Sequence, residues 1–323
     1  MDAMHTILKP IESELATFRK MQDDLALNPN PLLREIILHV NKQRGKQMRP
    51  MMVLLLSKMF GQPTDATYSA ALALELLHTA SLVHDDVVDD SMQRRGQPSV
   101  NALYKNKLAV LAGDYLLSTS LVFTGRCGDP SITTIIGNLG QTLSDGEIYQ
   151  MFHSHERLVS EEVYLDIIRK KTASLFSSCA EIGALTAGAS EADVDRARQL
   201  GEYIGICFQI RDDIFDYFTN DVGKPTGNDM REGKLTLPII YAVQSHGDDH
   251  IRAMIDRLKS GELAEEEISQ LIDFAKQHGG IEYAEQTMQS YRQKAIDLLP
   301  AGIDNTVREA IIAYIDAVIN RTK

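Results

Sequence analysis

Cysteine occurs only three times in 323 residues, at Cys127, Cys179 and Cys207. The number is odd and the spacings are wide, which excludes a disulfide framework and a zinc spacing and leaves buried free thiols as the expectation. Basic residues are also short, 33 against 45 acidic, for a net charge of −12. A general nucleic-acid-binding surface is excluded on that balance, whereas a local basic pocket for a small anion is not. No apolar run reaches about 18 uninterrupted residues, so no membrane span is expected. The opening MDAMHTILKPIESELATF has no basic segment followed by an apolar core, so no signal peptide is expected and the chain reads as soluble and cytoplasmic. Alternating β-branched runs are nearly absent and there is no Asn-Gly hairpin signal. Low-complexity linkers and repeats are missing as well. There is no GxxxxGK[ST] loop, no GxGxxG, no GxSxG and no kinase signature, so a nucleotide is not the obvious phosphate carrier.

What remains is helical almost throughout, in a chain with 44% hydrophobic residues and enough length for a large core. PLLREIILHVNKQ and MMVLLLSKMF carry apolar residues at helical spacing. ATYSAALALELLHTASLVHDDVVDD is apolar nearly all round and reads as a central buried helix. LAVLAGDYLLSTSLVFTG is similar, and SEEVYLDIIRKKTASLF opens on a partial capping signal at Ser160. After residue 245 the helices become shorter and more polar. The reading is one all-α domain over residues 1–323, with a motif-bearing core at about 30–245 and peripheral helices at about 246–323.

Inside the apolar helix sit Asp85, Asp86 and Asp89, followed by Asp90. On a helix, residues three and four apart share a face, so the first three carboxylates lie together. The same Asp-Asp-x-x-Asp pattern recurs at Asp212, Asp213 and Asp216. Aspartate is 26 of 323 residues, which gives about 0.17 such patterns by chance. Like charges one turn apart destabilise a helix, and burial adds to the cost. Hard divalent cations offset it, and Mg²⁺ held by few carboxylates usually shares its shell with phosphate oxygens. Candidate phosphate-binding cations follow the same geography. Arg94 and Arg95 lie just past the first cluster, Lys46 and Arg49 in GKQMRP, Lys170 and Lys171 in RKKTAS, and Lys224 and Lys234 around the loop after the second cluster. His153 and His155 form an HxH pair without further ligands, a weak metal signal.

GKQMRP, ELLHTASLVHDDVVDDSMQRRGQPSVN, LAGDYLL, RKKTASLF, FQIRDDIFDYF and GKPTGNDMREGKLTLP, in that order over roughly residues 30 to 245, resemble the all-trans polyprenyl diphosphate synthase family. The resemblance implies the isoprenoid-synthase-type helical bundle around a central cavity, with the acidic motifs facing each other across it, a homodimer, and three Mg²⁺ ions bridging carboxylates and an allylic diphosphate. It implies metal ligation by Asp85, Asp86 and Asp89, by Asp212 and, less directly, by Asp213 and Asp216. It assigns Arg94, Lys171, Lys224 and Lys234 to the allylic diphosphate, and Lys46, Arg49, His78 and Arg95 to isopentenyl diphosphate. Thr172 and Gln209 fall near the allylic carbon. GKQMRP departs from the family's usual arginine and leucine at its centre but keeps Lys46 and Arg49.

The implied activity joins isopentenyl diphosphate to an allylic diphosphate, repeatedly. Ala80 and Ser81, one turn before Asp85, are small where short-chain members are bulky and aromatic. With Leu77 and Leu74 further down and Leu117, Leu121 and Phe123 as a floor, the expected product is medium to long, roughly six to ten isoprene units, passed peripherally to a membrane. Three other readings stay open: a terpene cyclase, which needs no second diphosphate pocket; a non-catalytic partner subunit; and a helical metal binder without substrate.

Overall fold

The computed structural model describes residues 3–42, 45–153, 160–218, 226–260 and 262–320. Almost everything described is helix. The central segment folds as the Asp65–Val88 helix, started by a reciprocal cap: Thr67 N donates to Thr64 Oγ1 at 3.3 Å and Thr64 N to Thr67 Oγ1 at 2.9 Å. Its all-round apolarity matches its burial, with Ala70, Leu72, Ala73 and Leu74 at 0–1% exposure. Beside it runs the Val100–Arg126 helix, capped by Ser99 and fastened midway by the buried Ser120 hydroxyl, which donates to Ala73 O at 2.7 Å. The two pack so closely that a Cβ on Gly113 would come within 2.2 Å of His84 Nε2. By length and composition this second helix could cross a membrane. One side of it packs on its neighbour, while Leu103, Val110, Leu111, Leu121 and Val122 stand exposed with Lys107 and Asp114 among them.

The chain divides into two compact units. The first comprises Met1–Gly140, Ser178–Arg198 and Pro300–Ala313. Its core gathers Met51, Val53, Leu54, Leu72 and Cys179. Gly183 lets a helix approach the backbone there, since a Cβ would lie 2.5 Å from Val53 O. The second comprises Gln141–Ser177, Gln199–Leu299 and Tyr314–Lys323. Gly205 plays the equivalent part, 2.5 Å by its absent Cβ from Ala173 Cα. The helices after residue 245 bury Met254, Leu271, Ala284 and Ile315 completely, so they carry core of their own.

Two local features depart from the sequence expectation. A two-residue hairpin pairs Gln93 with Pro98 and Arg94 with Gln97. Its turn residues are Arg95 (φ 52°) and Gly96 (φ 74°), the left-handed pair a tight hairpin needs, with arginine where asparagine is usual. The run expected as one helix through RKKTAS is broken by a π-turn at Arg169–Ala173, between the Glu161–Ile168 and Ser174–Thr186 helices. All three cysteines are free. Cys179 and Cys207 are buried, which pushes both thiols up to about 12, and Cys127 is half-buried.

Candidate active site

In the first unit, Asp85 and Asp86 occupy the last turn of the Asp65–Val88 helix, and Asp89 is its C-cap. A helix C-terminus carries partial negative charge, so carboxylates are disfavoured there. The cluster is therefore worse placed electrostatically than a mid-helix position would make it. Asp86 is 2% exposed and is gripped by Arg94, whose Nε and Nη2 donate to Asp86 Oδ1 and Oδ2 at 2.7–2.9 Å. Asn101 Nδ2 donates to the Asp86 carbonyl at 3.0 Å. Asp85 is half-buried, and Asp89 and Asp90 are exposed.

Next to this cluster is a basic recess. Glu75, His78, Arg94 and Arg95 line one pocket. Gly45 makes room for Arg95, since a Cβ there would meet its Nη1 at 2.8 Å. The GKQMRP turn is pinned through Gln47, which accepts from Arg19 Nε at 2.8 Å and donates to Gln22 Oε1 at 2.9 Å. Lys46 is exposed and Arg49 half-buried. Burial, and then Arg49, Arg95 and Arg94, hold the His78 imidazole well below its usual range, so it is neutral. Arg49 Nε, Glu75 Oε2 and His78 Nε2 are buried with no hydrogen-bond partner among the described residues. Arg49 Nε asks for an acceptor such as water or an anion, His78 Nε2 for the same when it carries the ring proton, and Glu75 Oε2 for a donor such as water. Ala80 and Leu77 are buried at 2% and 6%, and the Ser81 hydroxyl turns back onto His78 O at 2.9 Å. Gly140 is the small neighbour opposite Leu77. Phe123 is buried, but Leu121, expected with it as a floor, is 53% exposed.

The second unit holds the other half of the candidate residues. Ser160 caps the Glu161–Ile168 helix as expected, accepting from Val163 N at 3.2 Å. The π-turn that follows adds a residue to the helical turn and re-aims Lys171 and Thr172. Both line a pocket with Gln209, Asp213, Asp229 and Lys234. Lys171 Nζ reaches Gln150 Oε1 and Glu147 Oε2, each at 2.5 Å. Thr172 Oγ1 donates to Gln209 Oε1 at 2.7 Å, and Gln209 Nε2 to Asp213 Oδ1 at 2.7 Å. Tyr164 donates to Asp213 Oδ2 at 2.6 Å. Burial first, then Asp229 and Asp212, push the Asp213 carboxyl up to about 8. Asp212 itself is exposed. Asp216 accepts from the backbone N of Asn228 and of Asp229, each at 3.0 Å, and so caps the short Asn228–Arg231 helix. Lys234 pairs with Glu232 at 2.5 Å. Lys224 and His155 lie outside the described residues. His153 packs edge-on against Tyr149 and Phe152 and reaches the same pocket.

Among the polar residues that line this pocket, Asp229, Tyr164 and Lys259 lie outside the candidates read from the sequence. Asp229 stands in the stretch GNDMREGK, where its acidity could have been weighed. Burial and Asp216 push its carboxyl up to about 6. Tyr164 and Lys259 sit in ordinary helical patterns and gave no signal. Among the described residues no three His, Cys, Asp or Glu side chains form a ready-made metal cage. The donor set nevertheless suits Mg²⁺: hard carboxylate oxygens, few per ion, with Asp213 and Asp229 raised by burial first and by neighbouring carboxylates next, a repulsion that a cation would relieve.

A family model described as polyprenyl synthetase matches residues 30–275. The chain is 30% identical over 293 residues to octaprenyl diphosphate synthase of Haemophilus influenzae, covering 90% of this chain and 89% of that protein. Among solved structures, it is similar to a geranylgeranyl pyrophosphate synthase from Bacteroides thetaiotaomicron, with 47% identity, a TM-score of 0.88 and coverage of 99% and 100% of the two chains. It is also similar to a decaprenyl diphosphate synthase from Rhodobacter capsulatus, with 32% identity, a TM-score of 0.91 and 98% coverage of each. Those names share a reaction type and differ in product length.

Proposed function

The chain belongs to the polyprenyl synthetase family, and on that premise we propose that it condenses isopentenyl diphosphate with an allylic diphosphate, repeatedly, to an all-trans polyprenyl diphosphate. The observation that carries this beyond the family is the recess lined by His78, Arg94 and Arg95, with His78 Nε2 unpartnered on its wall and the unpartnered Arg49 Nε on a neighbouring arginine. An enzyme that handled a single diphosphate, such as a cyclase, would not need it. In this reading Lys46, Arg49, His78 and Arg95 hold isopentenyl diphosphate. Neutral His78 donates a hydrogen bond without adding charge beside three arginines. Arg94, Lys171, Lys224 and Lys234 hold the allylic diphosphate. Asp85, Asp86, Asp89, Asp212 and Asp216 are the proposed Mg²⁺ holders, with three ions expected; Asp213, also in the pattern, is 3% exposed and binds Tyr164 and Gln209 instead. When bound, Mg²⁺ supplies Lewis acidity toward the leaving diphosphate.

The chain's own contribution is orientation and charge. Lys171 and Lys234 add positive charge where diphosphate charge builds as the carbon–oxygen bond breaks. Thr172 and Gln209 turn dipoles toward the allylic carbon. The recess grips the diphosphate of the second substrate, which raises the effective concentration of its double bond. A proton then leaves to the released diphosphate, and exclusion of water protects the cation.

The same proposal includes a homodimer, supported by the uncovered apolar face of Val100–Arg126. It includes a cytoplasmic site of action, supported by three free thiols. It also includes a product of roughly six to ten isoprene units, supported by the small Ala80 and Ser81. The deciding assay incubates the pure chain with Mg²⁺, isopentenyl diphosphate and farnesyl diphosphate and sizes the products. Linear chains of at least medium length are expected. A cyclic hydrocarbon, or no consumption of isopentenyl diphosphate, overturns the reading.

A further inference from the structure

Four side chains of the second unit stand in single file. Tyr164, on the Glu161–Ile168 helix, is 4% exposed, and Asp213 is 3% exposed. The order is Tyr164 Oη to Asp213 Oδ2, Asp213 Oδ1 from Gln209 Nε2, and Gln209 Oε1 from Thr172 Oγ1, at 2.6, 2.7 and 2.7 Å. Donor chemistry fixes the direction of the file. A carboxylate only accepts, so it must face two donors: the phenol hydroxyl and the amino end of the Gln209 amide. That turns the amide oxygen toward Thr172. The Thr172 hydroxyl has one proton, and it is used on Gln209. Thr172 therefore has lone pairs left to offer the pocket it lines. The direction also holds for a carboxyl protonated at Oδ2, the oxygen that faces Tyr164. A proton on Oδ2 would be shared with Tyr164, and Oδ1 would still accept from the amide.

We propose that Tyr164 and Asp213 are positioning residues that fix the polarity of Gln209, so that Thr172 presents an electron-rich oxygen to the ionising allylic carbon. This rests on the prenyl-transfer reading above and refines it. The opposite amide orientation would free the Thr172 proton to point at a developing cation, which is repulsive. The role differs from the metal ligation that the Asp-Asp-x-x-Asp pattern suggests for Asp213.

Three variants test it. Tyr164→Phe keeps the volume and removes one donor. Asp213→Asn removes the obligatory acceptor and can face Gln209 with either end of its amide, so the direction of the file is no longer fixed. Asp213→Asn combined with Gln209→Glu restores it, since the introduced carboxylate would accept from both neighbours. The first two are expected to lower kcat by about 10- to 100-fold, with both KM values and the Mg²⁺ activation midpoint within about twofold of wild type. The double variant is expected to regain about tenfold over Asp213→Asn. Wild-type kcat in Tyr164→Phe, a shifted Mg²⁺ midpoint in place of a lowered kcat, or a double variant no better than Asp213→Asn overturns the inference while leaving the transferase reading intact. A wild-type chain that transfers no prenyl group overturns both. Reading the double variant against Asp213→Asn cancels a stability loss common to the two.

Discussion

At the scale of single residues, the acidic motifs trade stability for chemistry. Asp85 is placed at a helix C-terminus beside Asp86 and Asp89, against both the dipole and its neighbours. Asp85→Ala is therefore expected to lower turnover by about a thousandfold or more, with a melting midpoint no lower than wild type; Asp212→Ala should behave alike. Near-normal turnover in both variants would remove the metal assignment. His78 gives a second prediction, with its sign set by burial. Its folded pKa lies well below 6.5, so neutral imidazole favours the folded state above that pH. That contribution is lost as pH falls below 6.5, at up to about 1.4 kcal/mol per pH unit. His78→Asn should flatten that part of a pH-dependent denaturation series, and an unchanged slope would show that His78 is not its source. The aspartates were legible in the sequence because their pattern is improbable. Tyr164 was not, because a tyrosine in a helical run is ordinary until its hydroxyl is seen on Asp213.

At the scale of elements, short irregularities position the chemistry. Asp216 accepts from two backbone N–H groups at the start of Asn228–Arg231 and thereby fixes Asp229. Asp216→Ala should cost about 1 kcal/mol through the lost cap. It should also lower kcat more than Asp216→Asn, which keeps one acceptor; equal activities in the two would separate the cap from the site. Gly205 allows its helix to meet Ala173 next to Thr172. Gly205→Val is expected to cost about 1–3 kcal/mol or more, read as a lower denaturation midpoint. The long helices and the Ser160 cap could be read from periodicity and capping chemistry. The π-turn could not, because an inserted residue in RKKTA leaves the apolar spacing acceptable to a continuous helix. Nor could the hairpin: Arg95 at φ 52° breaks the usual residue preference, as backbone strain at functional sites often does.

At the scale of the whole molecule, the all-α class followed from the missing strand signals and the continuous helical patterning. The division into two compact units left no mark in composition, because no polar linker separates them. A net charge of −12 coexists with a recess of arginines, so local arrangement decides what binds. The apolar face of Val100–Arg126 predicts a dimer by light scattering. Leu121→Glu with Val122→Glu should shift it to monomer, and an unshifted mass would place the interface elsewhere. Product size is the coarsest readout. Ser81→Phe should shorten the chains made from farnesyl diphosphate, and an unchanged distribution would argue against growth past Ala80 and Ser81.

The clasp between Arg94 and Asp86 has a further consequence. Each residue neutralises the other, with Asp86 almost wholly out of water. Prising them apart for one ligand alone would strand a buried charge, at about 3–5 kcal/mol. A cation for the aspartate and an anion for the arginine, arriving as a pair, would leave neither stranded. The free protein should thus ignore Mg²⁺ or pyrophosphate offered singly and take them up as a couple, an interlock visible by calorimetry as strong synergy between two individually feeble binders.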